Sequence, residues 1–456
     1  MRILILHDVR DPSALRRTSL NHAFCLLKYA PEHEYHLHCM GEPVTGALTR
    51  LRYDAIILDT TFLCWRWGYF SSPDERNLIR DSYRFVADSD AFKIALPQDE
   101  YDHSAILDEW LAFWSVDTVY SVCFDHRLLF YPLTSRSAEI VPALTGYVDD
   151  ADIALCATIG RPFERREIDV GYRAKFLPPQ FGRFGRHKAE IGNRFVAATH
   201  GRDLRIDIST DPASTLVGSK WLEFLGNCRF TLGCESGSSI LDPRGNIRSA
   251  VMGYMKENPT ASFEEVERAA FPGDDGRYVF SAISPRIFEA SLAGCCQILT
   301  PGRYLPGMEP NVHYISLEPD MANIDEVLAR MAEQDSVRNM IRQAGAFLID
   351  SGRFSYRSFV EDMLRRIERG RVRDPSVDCA TAAPISRSDE TAEASQIRHR
   401  LVEGAVGIGA AYGARLRELA AETSAAKEKC RIIESETRTS LSRRIVRALR
   451  QRLRGA

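Results

Sequence analysis

Residues 284–294, reading SPRIFEASLAG, set one base, Arg286, and one acid, Glu289, at the head of an apolar segment that closes on Gly294 and runs on into CCQILTPG. This spacing predicts a short buried helix with a polar start, followed by a buried strand. The unpaired N–H groups and positive dipole end of a helix start suit an anion, and a carboxylate beside them can accept from a sugar diol. A nucleotide-sugar carries both groups. From the spacing alone a second reading stays open, in which Glu289 and Arg286 simply pair at i, i+3 on an amphipathic helix.

A second constellation is YRAKFLPPQFGRFGRHKAEIG, residues 172–192, where Arg173, Lys175, Arg183, Arg186 and Lys188 flank Gly182 and Gly185 just before a helix. Glycines let backbone N–H groups approach an anion, and cations at a helix start suit a diphosphate. A solvated basic loop with a glycine turn is the plain alternative. A third, RFTLGCESGSSILD, ends in the small residues Gly233, Ser236, Gly237, Ser238 and Ser239 around Glu235. A strand that ends this way forms a turn that ligands approach closely, with Gly237 and Ser238 lining it and Glu235 facing a donor sugar. The serine falls one place late for G-x-S-x-G, which argues against a serine hydrolase.

In the front half, PQDEYDH follows a strand and offers Gln98, Asp99, Glu100, Asp102 and His103. A carboxylate such as Asp99 or Glu100 there can orient or deprotonate an acceptor hydroxyl across a cleft. His7, Asp8, Asn21 and His22 share that address, and most of this polar set is expected to cap helices or line loops. Asp150 and Asp152 form a DxD of the kind that holds a metal, but helix capping explains them, and no metal is expected. Gly407, Gly409 and Gly413 mimic a dinucleotide fingerprint without a preceding strand, and His36 with His38 lacks a third ligand.

These residues need a frame. The 456 residues exceed what one core usually serves, and with 45% apolar and 27% charged residues the chain reads as globular with two domains. A net charge of −3 argues against a nucleic-acid partner. Eleven scattered cysteines without a CxxC pair suit buried thiols in a reducing compartment. The opening MRILILHDVRD is charged too early for a signal peptide, so a cytoplasmic location is expected.

Apolar runs at 1–9, 35–40, 53–61, 92–97 and 116–122 read as buried strands, with helical spacing at 19–29, 75–87 and 104–114. The alternation restarts at 166–176 and continues through a helix at 188–198, a strand at 204–210, a helix at 215–225 and a strand at 229–236. An irregular insertion spans 241–276. Strands at 296–301 and 313–317 and helices at 324–333 and 336–350 complete the second half. The fold class expected is α/β, two doubly wound Rossmann-like domains facing a central cleft, plus a C-terminal helical tail. The boundaries are 1–160 for the acceptor side, 161–370 for the donor side, 371–395 for a linker and 396–456 for the tail. In that tail Arg443, Arg444, Arg447, Arg450, Arg452 and Arg454 accompany Leu441, Ile445, Leu449 and Leu453 on one face. Such a helix can lie on an anionic membrane surface, or dock on protein.

The arrangement resembles the GT-B glycosyltransferases, and within them the bacterial group 1-like enzymes acting on cell-surface glycans. The resemblance covers roughly residues 165–366. That family carries two glutamates eight apart before a small-residue helix, and SPRIFEASLAG is similar to the second part. The resemblance implies that Glu289 contacts the donor ribose and that Arg173 and Lys188 face the diphosphate. The first glutamate would fall at Ser281, a departure that leaves Glu235 as candidate once the 241–276 insertion is set aside. It further implies a nucleotide-sugar donor as substrate, no cofactor, a glycan or lipid-linked acceptor, and retention of configuration. Two alternatives stay open: a sugar-nucleotide epimerase or hydrolase on the same frame, and a non-catalytic scaffold of an envelope glycan assembly.

Overall fold

The computed structural model describes residues 1–10, 15–68, 73–123 and 125–373. The tail, its linker and the glycines at 407–413 lie outside the described residues. Two parallel sheets form the frame. In the front lobe β1 (Arg2–His7), β2 (Glu34–Cys39), β3 (Ala55–Leu58), β4 (Phe92–Ala95), β5 (Thr118–Ser121) and β6 (Glu139–Pro142) lie in the order β2-β1-β3-β4-β5-β6. Alternation explains the burial of β1 and β3. Leu4, Leu6, Ile56 and Leu58 face one apolar cluster and Ile3, Ile5, Ala55 and Ile57 face another, so the sheet is covered on both sides.

The rear lobe holds β7 (Ile168–Arg173), β8 (Ile206–Ser209) and β9 (Cys228–Gly233). A two-stranded ribbon of β10 (Ser236–Ser238) and β11 (Phe280–Ala282) follows, then β12 (Cys296–Leu299) and β13 (Ile315–Ser316). Its sheet order is β13-β12-β9-β7-β8, all parallel, while β10 and β11 pair antiparallel. Both sheets are doubly wound as expected. The strand order reverses between β7 and β9, which opens a crevice at their carboxyl ends.

Three features depart from the sequence reading. The 241–276 insertion is not irregular: it contains helices Asn246–Glu257 and Phe263–Ala270 around Ile240, Val251, Phe263, Val266 and Phe271. Ser262 and Glu265 form a capping box at the second of them. The helix expected over 75–87 is interrupted at Tyr83, giving Pro73–Ser82 and Arg84–Ala87. Finally, a helix over Tyr356–Arg373 crosses back to the front lobe, where Tyr356, Phe359, Val360, Met363 and Ile367 join the cluster beneath β1 and β3. The end of the 161–370 segment therefore packs as front-lobe structure.

The lobes are joined where the chain crosses twice. Val148 N donates to Phe354 O at 2.8 Å, Tyr356 N donates to Val148 O at 2.9 Å, and Thr145 Oγ1 donates to Ile283 O at 2.6 Å. No helix among the described residues is long and apolar enough to cross a membrane.

Candidate functional site

The chain after β11 turns at Ser284 and Pro285 into the Arg286–Leu292 helix, whose Ile287, Phe288 and Ala290 are buried. That burial fixes the rotation of the helix, which sets Arg286 toward the crevice and Glu289 toward Trp221. A small cavity lies there, lined by Tyr172 of β7, Lys188, Trp221, Gly233 and Cys234 at the end of β9, and Ser284 with Arg286, and closed on its inner side by the apolar Leu225, Leu232, Ile287 and Leu299. It lies across the β7–β9 reversal, where open α/β sheets take ligands.

Lys188, on the Gly182–Ala198 helix, donates to the Ser236 hydroxyl at 3.1 Å. Burial pushes its ammonium down to about 8, and the neighbouring Arg286 guanidinium adds to the effect. Arg286 donates to the Arg173 carbonyl and lies 5.0 Å from the Trp221 ring and 5.7 Å from the Tyr172 ring. Among the described residues neither cation forms an ion pair with a carboxylate. Glu289 accepts from Trp221 Nε1 at 2.7 Å. Burial raises its carboxyl above the usual range, opposed by the Trp221 bond, Arg286 and Lys188. The i, i+3 pair of the simpler reading does not form, because Arg286 turns to a carbonyl and two aromatic faces instead.

The sequence-derived candidates divide in this geometry. Lys188, Arg286 and Glu289 come together. Arg173 stands behind them, held by Asp207 at 2.7 Å and stacked 4.3 Å from the Phe224 ring, so it reaches the pocket through its carbonyl. Gly182 and Gly185 start the helix, but the N–H of Arg183 goes to Asp275 Oδ1 at 3.2 Å and that of Phe184 to Ser239 Oγ at 3.2 Å. The carboxylate of the insertion thus occupies the helix start where a phosphate was expected. A Cβ on Gly182 would come within 2.4 Å of Asp275 Oδ1, which explains a glycine there. Gly237 and Ser238 belong to the ribbon, where the Ser238 hydroxyl closes a turn with Ile240.

Glu235 lies at the carboxyl end of β9, against the Gly302 backbone and one residue before the Ser236–Ala282 pair. The ribbon pairs Ser236 with Ala282 and Gly237 with Ser281, so the insertion leaves and returns at one place. Trp221 was missed from the sequence. Its helix, Ser219–Gly226, was expected, but nothing local marks which residue reaches Glu289.

In the front lobe, Asp99 in the loop after β4 has a φ of +48° and accepts from Tyr101 OH at 2.6 Å. Glu100 is 0% exposed and accepts from Val122 N, Cys123 N and Tyr131 OH at 3.0, 3.2 and 2.7 Å. Its oxygens are spent on the loop after β5, which makes it a fold-holding residue rather than a solvent-facing base. His7 and His22 are buried, and burial pushes both imidazoles down to about 4. Asp149 caps the Asp150–Ile159 helix at the Ala151 N–H, 2.8 Å away, while Asp152 pairs with Arg17 and Asp150 with Arg357. His36 bonds Glu34 and His38 bonds Tyr83.

Compared with known proteins, the chain matches no family model and no curated protein sequence. Solved structures do align with it. Anabaena HepE in complex with UDP aligns over 81% of this chain and 100% of its own, at 10% identity and a TM-score of 0.44. An alpha-glucosyltransferase in complex with UDP-glucose and abasic DNA covers 81% and 99%, at 10% identity and 0.45. An E. coli trehalose-6-phosphate protein bound with UDP-2-fluoro glucose covers 81% and 99%, at 8% identity and 0.47. At these levels of similarity the functional reading rests on the chain's own residues.

Proposed function

We propose that the protein is a glycosyltransferase that moves a sugar from a nucleotide-sugar donor to a hydroxyl acceptor. One observation carries this reading: two sheltered cations, Lys188 and Arg286, unpaired by carboxylates among the described residues, line a pocket with Trp221 at the β7–β9 switch point, and Glu289 accepts from that Trp221. Sheltered cations without counter-ions are costly unless an anion completes them. A diphosphate between Lys188, Arg286 and the Ser236 hydroxyl does so, with the donor ribose on Glu289.

In transfer, the bond from the anomeric carbon to the diphosphate oxygen breaks as the acceptor oxygen bonds that carbon, and the acceptor's proton passes to the departing diphosphate. Negative charge grows on the departing phosphate. Fixed donors at that point favour the transition state over the ground state by a few kcal/mol each, roughly. Because Lys188 and Arg286 supply this charge, the proposal is independent of a metal. Glu235, one residue beyond Cys234 of the lining, is assigned to the donor sugar, and Asp99 to the acceptor side.

The finer assignments are a hexosyl donor, retention, and an acceptor that is a cell-surface glycan or its lipid-linked precursor. They are supported by the family resemblance and by the arginine-rich sequence at 441–454, which would bring the enzyme to an anionic membrane surface. A thermal-shift screen of UDP, ADP and GDP tests the core of the reading. At least one should raise the melting temperature of the wild type and raise that of Lys188→Met far less; no shift with any of the three contradicts it.

A further inference from the structure

Trp221 lines the pocket beside Arg286 and joins it to Glu289 and Phe224 behind. Its indole N–H donates to one oxygen of Glu289, Oε2, at 2.7 Å. The ring is held by Phe224, stacked with centroids 5.8 Å apart, and by the Arg286 guanidinium 5.0 Å away. Phe224 in turn carries the Arg173 guanidinium at 4.3 Å, and Arg173 is anchored on Asp207. A ring fixed by stacking on both a cation and an aromatic keeps its N–H aimed, and a carboxylate with one oxygen fixed presents the other in a defined direction.

We propose that Trp221 is a positioning residue which, by holding Oε2 of Glu289, turns Oε1 toward the ribose hydroxyls of a bound nucleoside diphosphate and so makes the pocket prefer a ribose-bearing ligand over a bare diphosphate. This rests on the nucleotide reading above. The division of labour follows from chemistry: Lys188 and Arg286 meet the phosphates, which any diphosphate has, whereas Glu289 can only accept, and so reads the diol. The charges facing Glu289 are Arg286 on its own helix, Lys188 from the Gly182–Ala198 helix and Asp152 from the Asp150–Ile159 helix. Arg286, Lys188 and the Trp221 bond favour the carboxylate and Asp152 opposes it. Loss of the indole N–H therefore moves the protonation of Glu289 to higher pH, and with it the acid limb of nucleotide binding.

The test is calorimetric titration of the full-length protein with UDP, ADP, GDP and inorganic pyrophosphate across pH. Trp221→Phe keeps a ring for Phe224 and Arg286 but removes the donor. The tightest nucleoside diphosphate should weaken about tenfold, pyrophosphate should stay within about twofold, and the acid limb should move up in pH. Trp221→Phe combined with Glu289→Gln should bind within about twofold of Glu289→Gln alone, since both remove one interaction. Equal weakening of nucleotide and pyrophosphate would reduce Trp221 to a packing role, and unchanged nucleotide binding would remove its role altogether; either overturns the proposal. If the wild type takes pyrophosphate but none of the three nucleotides, the nucleotide reading falls and this one falls with it.

Discussion

Asp102 of the front lobe and Asp242 of the insertion lie side by side in a parallel bridge that fastens the two lobes at one edge of the crevice. His103 N donates to Asp242 O at 2.6 Å, and the Asp102 carboxylate holds both the His103 imidazole and Arg248, each at 2.6 Å. Its side chain is 6% exposed, so removing it strands Arg248 without a counter-charge. Asp102→Ala should cost about 3 kcal/mol in chemical denaturation. A loss below about 1 kcal/mol would mean that the clasp does not hold the lobes.

Glu100 gives a sharper division between fold and chemistry. With three donors on a fully buried carboxylate, Glu100→Ala leaves the N–H groups of Val122 and Cys123 and the Tyr131 hydroxyl unmet. The expected cost is about 3 kcal/mol or more. Normal stability with lost turnover would instead return Glu100 to the catalytic role that the strand-end reading assigns it.

Gly237 tests the ribbon. Its φ is +144°, and a Cβ there would lie 1.8 Å from the Phe280 carbonyl oxygen. Gly237→Ala should destabilise by at least about 2 kcal/mol, because strain and a backbone clash act together. Since β10 also carries Ser236, which bonds Lys188, ligand binding should weaken in the same variant. Wild-type melting behaviour would contradict the pairing of β10 with β11.

The wound frame was legible because its strands are short apolar runs with a period that only a two-sided sheet satisfies; Ile3 to Leu6 and Ala55 to Leu58 are examples. Two helical signals were present but unread. Tyr356, Phe359, Val360, Met363 and Ile367 follow helical spacing, and Ser262 with Glu265 is a capping box. What no local pattern carries is the pairing of distant side chains. Asp275 at the start of the Gly182–Ala198 helix, Asp207 on Arg173 and Trp221 on Glu289 each join segments whose meeting depends on the finished sheet. For that reason glycines and cations that looked alike in sequence separate into a pair that lines the cavity, Lys188 with Arg286, and a pair tied into neighbouring carboxylates, Arg173 on Asp207 and the Gly182 turn on Asp275.

Lys188 makes the pocket sensitive to alkali. Burial and Arg286 hold its proton loss near 8, below the usual lysine range, so the free pocket loses a positive charge as pH rises through that value. An anionic ligand favours the protonated form, and affinity for pyrophosphate should fall by up to about tenfold per pH unit above about 8. Below that pH, Lys188 contributes no pH dependence. In Lys188→Met the alkaline fall should vanish; its persistence would assign the titration to another group.

In the proposed function Lys188 and Arg286 receive the diphosphate of a nucleotide-sugar. Calorimetric titration of the tightest nucleoside diphosphate into wild type, Lys188→Met and Arg286→Met measures it most directly. Each substitution should weaken binding at least tenfold, roughly the worth of a charge-assisted hydrogen bond, without loss of the folded state. Equal affinity in all three proteins would place the phosphates elsewhere and contradict the account.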